Sequence, residues 1–590
     1  MSSQAQPLPA YASPFPARLR AVEPWKATAI LALVALGFLV LLPLLIMLIA
    51  SLRPAGVLPL ESGPLTFDAF RRAFTGPDML PVLANSVIYS GSGVLLALPL
   101  ALGIALLTER SDLPLRDGVY AMMFVPLGIP VFATALGWIL LLGPAAGVIN
   151  QYLRLFTGNP ANNGPINIFS LGGLIFVHVL GLVPSMWLFL ISVLRNMDPT
   201  LEEAAAIAGA SRGRVFSAIT LPLLRPGVAA VLVYFMLIGL ESLDLPLAIA
   251  PTAGLDVLST KIYFTLRPST NTGIDYGVPA AFGVLLLGVA IAGIALYLRL
   301  VGHASHYAVV SGRGYRPRGV ALGAWKYPAL ALVGLYLFLK VLLPVAILVY
   351  TSLLNFYQPP VPKLMASLKW TANNYAALLD YRFFGRFFVN SVVVAVAAAT
   401  ITMLLVTVAA WLIVRYPTPL TRLLNTVAFM PLAIPGVIST LAFFLLFVGT
   451  PIFGTLLLMT FAFTARFIAF GTRLMHAAQL QINRELEEAA MVGGAGTLQM
   501  FVRINLRLLV PAFLNGWLWV LVHAAKDFSV ALLLGSANTL LVGNVIYSAF
   551  TSGRFPQASA MMVLLFAFNF AAVLAGRRFA KAPATSTARA

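Results

Sequence analysis

Four charged residues interrupt long apolar runs: Glu241 and Asp244 in one, Lys526 and Asp527 in another. Holding a charge inside a run long enough to cross a bilayer is costly, so such residues mark an ion or solute path by default. Glu241 and Asp244 are three positions apart, which on a continuous helix places both carboxylates on one face. Two chemistries fit the set. The charges contact a passing solute directly, or they neutralise one another as a structural pair or gate. Lys340 and Arg466 also lie in apolar runs, where long cations snorkel or bind backbone carbonyls.

Other chemistries are excluded or unsupported. The chain has no cysteine, which removes disulfides, thiolate metal sites and thiol catalysis. It has no Gly-x-x-x-x-Gly-Lys-Ser/Thr, so it binds no ATP through a P-loop. Its five histidines are scattered and suggest no metal cage, and no hydrolytic site is evident.

A second constellation occurs twice. Glu202-Glu203-Ala204-Ala205 is followed by Gly209, and Glu487-Glu488-Ala489-Ala490 by Gly494. Thr200 and Glu203 have capping-box spacing, so a helix should begin there. Alanines give that helix propensity and a thin profile. Gly209 removes a side chain where another backbone can approach, and Pro222 can end the next short helix. The second copy has Asn483 as N-cap candidate and is loosened by Gly493, Gly494 and Gly496, so it should form the less rigid helix.

The elements that carry these residues are membrane spans. Of 590 residues, 60% are hydrophobic and only 10% charged, against about 25% charged in a soluble domain. The net charge of +19 invites a nucleic-acid reading, but in a membrane protein excess Lys and Arg belongs to cytoplasmic loops, and no nucleic-acid partner is expected. With about 20 apolar residues per crossing, twelve spans are predicted: 27–52, 82–107, 119–142, 170–194, 226–250, 278–298, 328–353, 387–412, 423–449, 452–476, 511–535 and 557–576. Basic clusters at Arg313, Arg316, Arg318 and at Arg577, Arg578, Lys581 place both termini in the cytoplasm. Residues 144–168 and 355–385 then fall outside.

The chain repeats itself. Asn85-Ser86 recurs as Asn390-Ser391 and Pro126-Leu127-Gly128-Ile129-Pro130 as Pro431-Leu432-Ala433-Ile434-Pro435, at an offset of 305. Beyond a Gly/Pro/Asn-rich insertion within Gly143–Phe169, the offset falls to 285, which sets Lys526 opposite Glu241. That insertion should form an external cap or short interfacial helix. The predicted organisation is a cytoplasmic segment (1–26), a six-span half (27–300), a cytoplasmic linker (301–326), a second six-span half (327–576) and a tail (577–590). Two parallel halves imply a pseudo-twofold axis along the membrane normal, with any path at their interface.

The Glu-Ala-Ala loops, each after the fourth of six spans, resemble the EAA loop of ABC importer permeases. The fused arrangement, with Val257 to Tyr263 after span five, is most similar to the ferric-iron, thiamine and aminoethylphosphonate permease group. The resemblance implies an all-α polytopic fold of twelve transmembrane helices in two parallel six-helix repeats, each with a cytoplasmic coupling helix. It departs at Arg507, where the second loop should have proline.

That family reading implies two copies of a cytoplasmic ABC ATPase, which hold the ATP and magnesium, and a periplasmic substrate-binding protein. The chain itself would sit in the bacterial inner membrane and need no cofactor. Ion-coupled secondary transport and a membrane enzyme are the alternatives. Glu241, Asp244 and Asp527 outnumber Lys526 at the inferred interface. An acidic lining favours a cationic solute, ferric iron above thiamine, over a phosphonate. Polyamine and sugar phosphate stay open.

Overall fold

The computed structural model describes residues 24–157, 164–195, 200–266, 274–305, 321–380, 382–432 and 434–580. Residues 1–23, most of the linker with its three arginines, the Thr200 side chain of the capping box and residues 581–590 of the tail lie outside this description. Among the described residues the fold is helical, and the only extended pairing is an isolated bridge between Leu354 and Trp370.

Ten helices are long and apolar enough to cross a membrane. The other two predicted spans, the third of each half, are not straight. Arg116–Gly128 and Val131–Leu142 meet at 93°, and Pro419–Leu432 and Gly436–Phe447 at 106°. The repeated Ile-Pro step is the cause. Proline supplies no N–H and pushes the preceding residue out of helical geometry; Ile129 takes φ −82°, ψ 126°. The second arms are apolar on every face, which suits burial on every face. Phe132 to Leu142 are all buried, as are all residues of Gly436–Phe447 except Ser439.

Span one of each half crosses to the other half. Leu42–Ala50 packs on the second arm Gly436–Phe447, and Leu343–Ser352 on the second arm Val131–Leu142. Each is preceded by a π-helical turn, Gly37–Leu41 or Phe338–Leu342, that accommodates Pro43 or Pro344 within the helix. Gly137 lets the second crossing close, since a Cβ there would lie 2.8 Å from the Pro344 Cβ. The halves are therefore interlocked, each completing the other's core.

The fifth spans also differ from prediction. The helix of the first half runs Gly213–Glu241 and stops where Ser242 takes φ −58°, ψ 118°. A separate short helix, Asp244–Ile249, follows. Glu241 and Asp244 thus share no continuous helix face. In the second half Thr497–Ala525 is followed by Ser529–Leu534.

The repeated Asn-Ser pairs tie the chain beyond span five to span two. Asn85 Nδ2 donates to the Asp256 carbonyl and Asn390 Nδ2 to that of Leu540, both at 3.2 Å. Ser86 and Ser391 accept from the backbone of Leu258 and Val542. The insertion forms the short helix Val148–Thr157, whose Tyr152 donates to the Pro360 carbonyl of the other half at 2.7 Å.

Candidate functional site

The two Glu-Glu-Ala-Ala segments lie in the helices Thr200–Ile207 and Arg484–Val492. In both, the first glutamate turns back to the arginine ending span two. Glu202 pairs with Arg110 at 3.3 Å and accepts from Thr220 Oγ1 at 2.8 Å. Glu487, only 5% exposed, pairs with Arg415 at 2.7 Å. Arg110 and Arg415 each donate also to the backbone ahead of the helix, at Leu194 and Ile482. The buried contact therefore belongs to Glu202 and Glu487. Glu488 is 55% exposed and pairs only along its own helix with Arg484.

Gly209 and Gly494 end these helices for a conformational reason rather than to admit a backbone. Their φ values are +83° and +84°, and nothing lies within 4 Å of a Cβ built on either. Each is followed by a bond back to the helix, Ala210 N to Ala205 O and Ala495 N to Ala490 O, both 3.0 Å, the pattern of a left-handed helix stop. The second helix starts with Asn483 Oδ1 capping the Glu485 N–H at 3.2 Å, as its sequence suggests. Ala204 is exposed, and Ala205, Ala489 and Ala490 keep that side thin. Ile207 and Val492, equivalent by the repeat, are 88% and 90% exposed.

The intramembrane charges converge on the broken third spans. A break in a helix at membrane depth frees N–H and C=O groups that must find partners inside the protein. At the second-half break, Glu241 of the first half accepts from the Gly436 N–H, at the positive start of the second arm. At the first-half break, Lys526 of the second half donates to the Leu127 carbonyl at 2.5 Å, at the negative end of the first arm. Equivalent positions thus carry opposite charges, and each caps the other half's break with the sign that the exposed helix end favours.

Asp527 is held by Arg466 at 2.5 Å and caps the Val530 N–H at 3.0 Å; Asp244 accepts from Ser529 Oγ at 3.4 Å. Lys340 donates to Thr134 on the first-half second arm at 3.1 Å. Among the described residues Lys526 and Glu241 form no ion pair with each other, contrary to the register expectation. Arg466 pairs with Asp527 and Lys340 binds Thr134, so more cations lie near these carboxylates than the single Lys526 counted from the sequence. Arg466 was legible only as an isolated cation. Its clue is Gly436, whose missing side chain makes room for it: a Cβ there would lie 2.6 Å from the Arg466 Cζ.

Beyond this network lies an aromatic layer. Phe132 stacks on Phe528 at 4.9 Å and meets Tyr547 and Phe550 edge-on. Tyr263 and Tyr547, equivalent by the repeat, meet at 6.3 Å, so the pseudo-twofold axis passes between them.

The chain matches the family model for the binding-protein-dependent transport system inner membrane component twice, over residues 93–306 and 404–583. It is 25% identical to the ferric transport system permease protein FbpB of Actinobacillus pleuropneumoniae over 506 residues, 84% of this chain and 70% of that one. It is 30% identical over 184 residues to the putrescine transport system permease protein PotI of Escherichia coli, covering 30% of this chain and 65% of that one. A solved bacterial ABC transporter involved in the import of the acidic polysaccharide alginate aligns at TM-score 0.38 and 20% identity, over 48% of this chain and 96% of that one.

Proposed function

The chain belongs to the family of binding-protein-dependent transport system inner membrane components, with both halves of an ABC importer permease on one polypeptide, and from that premise we propose that it carries ferric iron inward by alternating access. A periplasmic binding protein delivers the solute, and two copies of a separate cytoplasmic ATPase, holding ATP and magnesium, drive the cycle. Both termini face the cytoplasm. The ferric assignment is supported by a relative that matches most of the chain, whereas the putrescine permease matches a third of it. The charge lining adds little support, because Arg466 already pairs with Asp527.

The observation that carries the mechanism is the reciprocal capping by Glu241 and Lys526. In this reading Glu241, Asp244, Lys526 and Asp527 line the path in its shut state, and opening separates each charge from the helix end it caps. The coupling helices take up ATPase movement through Glu203, Glu488, Ile207 and Val492. They pass it to span two through the Arg110–Glu202 and Arg415–Glu487 pairs.

Co-expression with the candidate ATPase and affinity capture of this chain tests the assignment. The ATPase should be retained at two copies per permease, and Val492→Asp with Ile207→Asp should release it. Capture of a folded chain without ATPase, combined with proton-driven uptake, would favour a secondary transporter instead.

A further inference from the structure

The two halves differ where the last span begins, on the face away from the coupling helices. In the first half Arg72, on the helix Asp68–Thr75, forms an ion pair with Asp275 at 3.0 Å, just ahead of the span Gly277–Leu300. The repeat puts Ala377 at the place of Arg72, at the same 305 offset as the Asn-Ser pairs. Aligning Val284-Leu285-Leu286 with Val563-Leu564-Leu565 puts Arg554 at the place of Asp275. The second half has thus lost the arginine from one side and replaced the aspartate by an arginine on the other. No described residue forms an ion pair with Arg554.

A cavity of about 810 Å³ occupies this place, with Ala377 and Arg554 both in its wall. It reaches inward to Tyr263 and Tyr547 on the pseudo-twofold axis, where Tyr547 belongs to the aromatic layer. Its remaining polar wall is neutral, with Asn544 and Ser548 among its amides and hydroxyls, and no described lining residue is a carboxylate. The volume suits a small molecule.

We propose that this cavity is a solute vestibule in which Arg554 receives an oxyanion, a carboxylate or phosphoryl group carried by the solute. A guanidinium presents two parallel N–H donors that match either group. The inference rests on the importer reading and refines it: iron would enter with an oxyanion ligand, since a lone arginine repels a bare ferric cation.

The absence of cysteine gives a direct probe. Ser548→Cys, an exposed position in the cavity wall, is introduced in the full chain in nanodiscs and labelled with anionic and cationic methanethiosulfonates. The anionic reagent should react about tenfold faster, as a field focused in a cleft raises local counter-ion concentration. Inorganic phosphate or citrate should slow it. Arg554→Gln should abolish both effects, and so should Ala377→Glu, which restores an ion pair like that of the first half and keeps the arginine. Equal rates for the two reagents, or protection by phosphate and citrate that survives Arg554→Gln, overturn the proposal.

With ATPase and binding protein reconstituted, Arg554→Gln should lower ATP-driven uptake about tenfold. Undiminished ATP-driven uptake would remove the vestibule and leave the importer standing. Absence of any ATP-driven uptake by the wild type would remove the importer reading, while the labelling ratio still reports on the cavity. Loss of binding-protein capture on Arg554→Gln, with the labelling ratio unchanged, would assign the arginine to a protein contact and refute the oxyanion site.

Discussion

Glu241→Met and Lys526→Met separate two accounts of the charged network. On the register alone these residues pair with each other, and removing both should restore what either single change loses. The structure instead has each bonded to a different backbone group, Gly436 N–H and Leu127 C=O, on opposite sides of the interface. A hydrogen bond to a charged group contributes about 1.5–3 kcal/mol, and leaving its buried backbone partner unsatisfied costs a similar amount. Each single change should therefore favour the open interface by about 1.5–3 kcal/mol, roughly a tenfold to hundredfold shift. Groups without a shared partner add to within about 0.5 kcal/mol, so the double variant should lose about 3–6 kcal/mol. The assay is basal ATP hydrolysis of the reconstituted complex without binding protein, which should rise in each single variant and rise further in the double. Recovery of wild-type hydrolysis in the double variant would refute the reciprocal capping and reinstate a direct Glu241–Lys526 pair.

Other consequences follow from single contacts. Gly436→Ala places a methyl group against the Arg466 guanidinium and should lower the stability of the purified chain by about 1–3 kcal/mol, read by thermal unfolding; an unchanged midpoint contradicts the packing. Glu487→Gln breaks a buried ion pair and should weaken ATPase stimulation more than Glu488→Gln, whose side chain is half exposed; the reverse order in the hydrolysis assay would exchange their roles. Phe156→Cys should be labelled by an impermeant thiol reagent from outside intact cells and Ile207→Cys only after permeabilisation; the opposite pattern reverses the orientation.

What the sequence discloses depends on whether the cause is local. Spans, the repeat and the paired Glu-Ala-Ala helices are local patterns of hydropathy and propensity, and all appear in the fold. The Ile-Pro steps were visible too, yet a hydropathy window reads straight through 119–142 because both arms are apolar. The same averaging hid the stop at Ser242, so Glu241 and Asp244 were set on one helix face. Partner choice was the least legible. Glu202 and Glu203 look interchangeable until helix phase and Arg110 separate them. Arg466 joins Asp527 across 61 positions, a pairing hinted at only by a glycine 30 residues away from the arginine.

An importer permease moves its solute only with energy from a separate ATPase. The most direct measurement is uptake of radiolabelled ferric iron, supplied with an oxyanion ligand, into proteoliposomes holding the chain, its ATPase and the binding protein. Accumulation should require enclosed ATP and all three components, and should collapse when Ile207→Asp and Val492→Asp remove the ATPase. Accumulation by the chain alone, driven by an imposed proton gradient and indifferent to ATP, would contradict it.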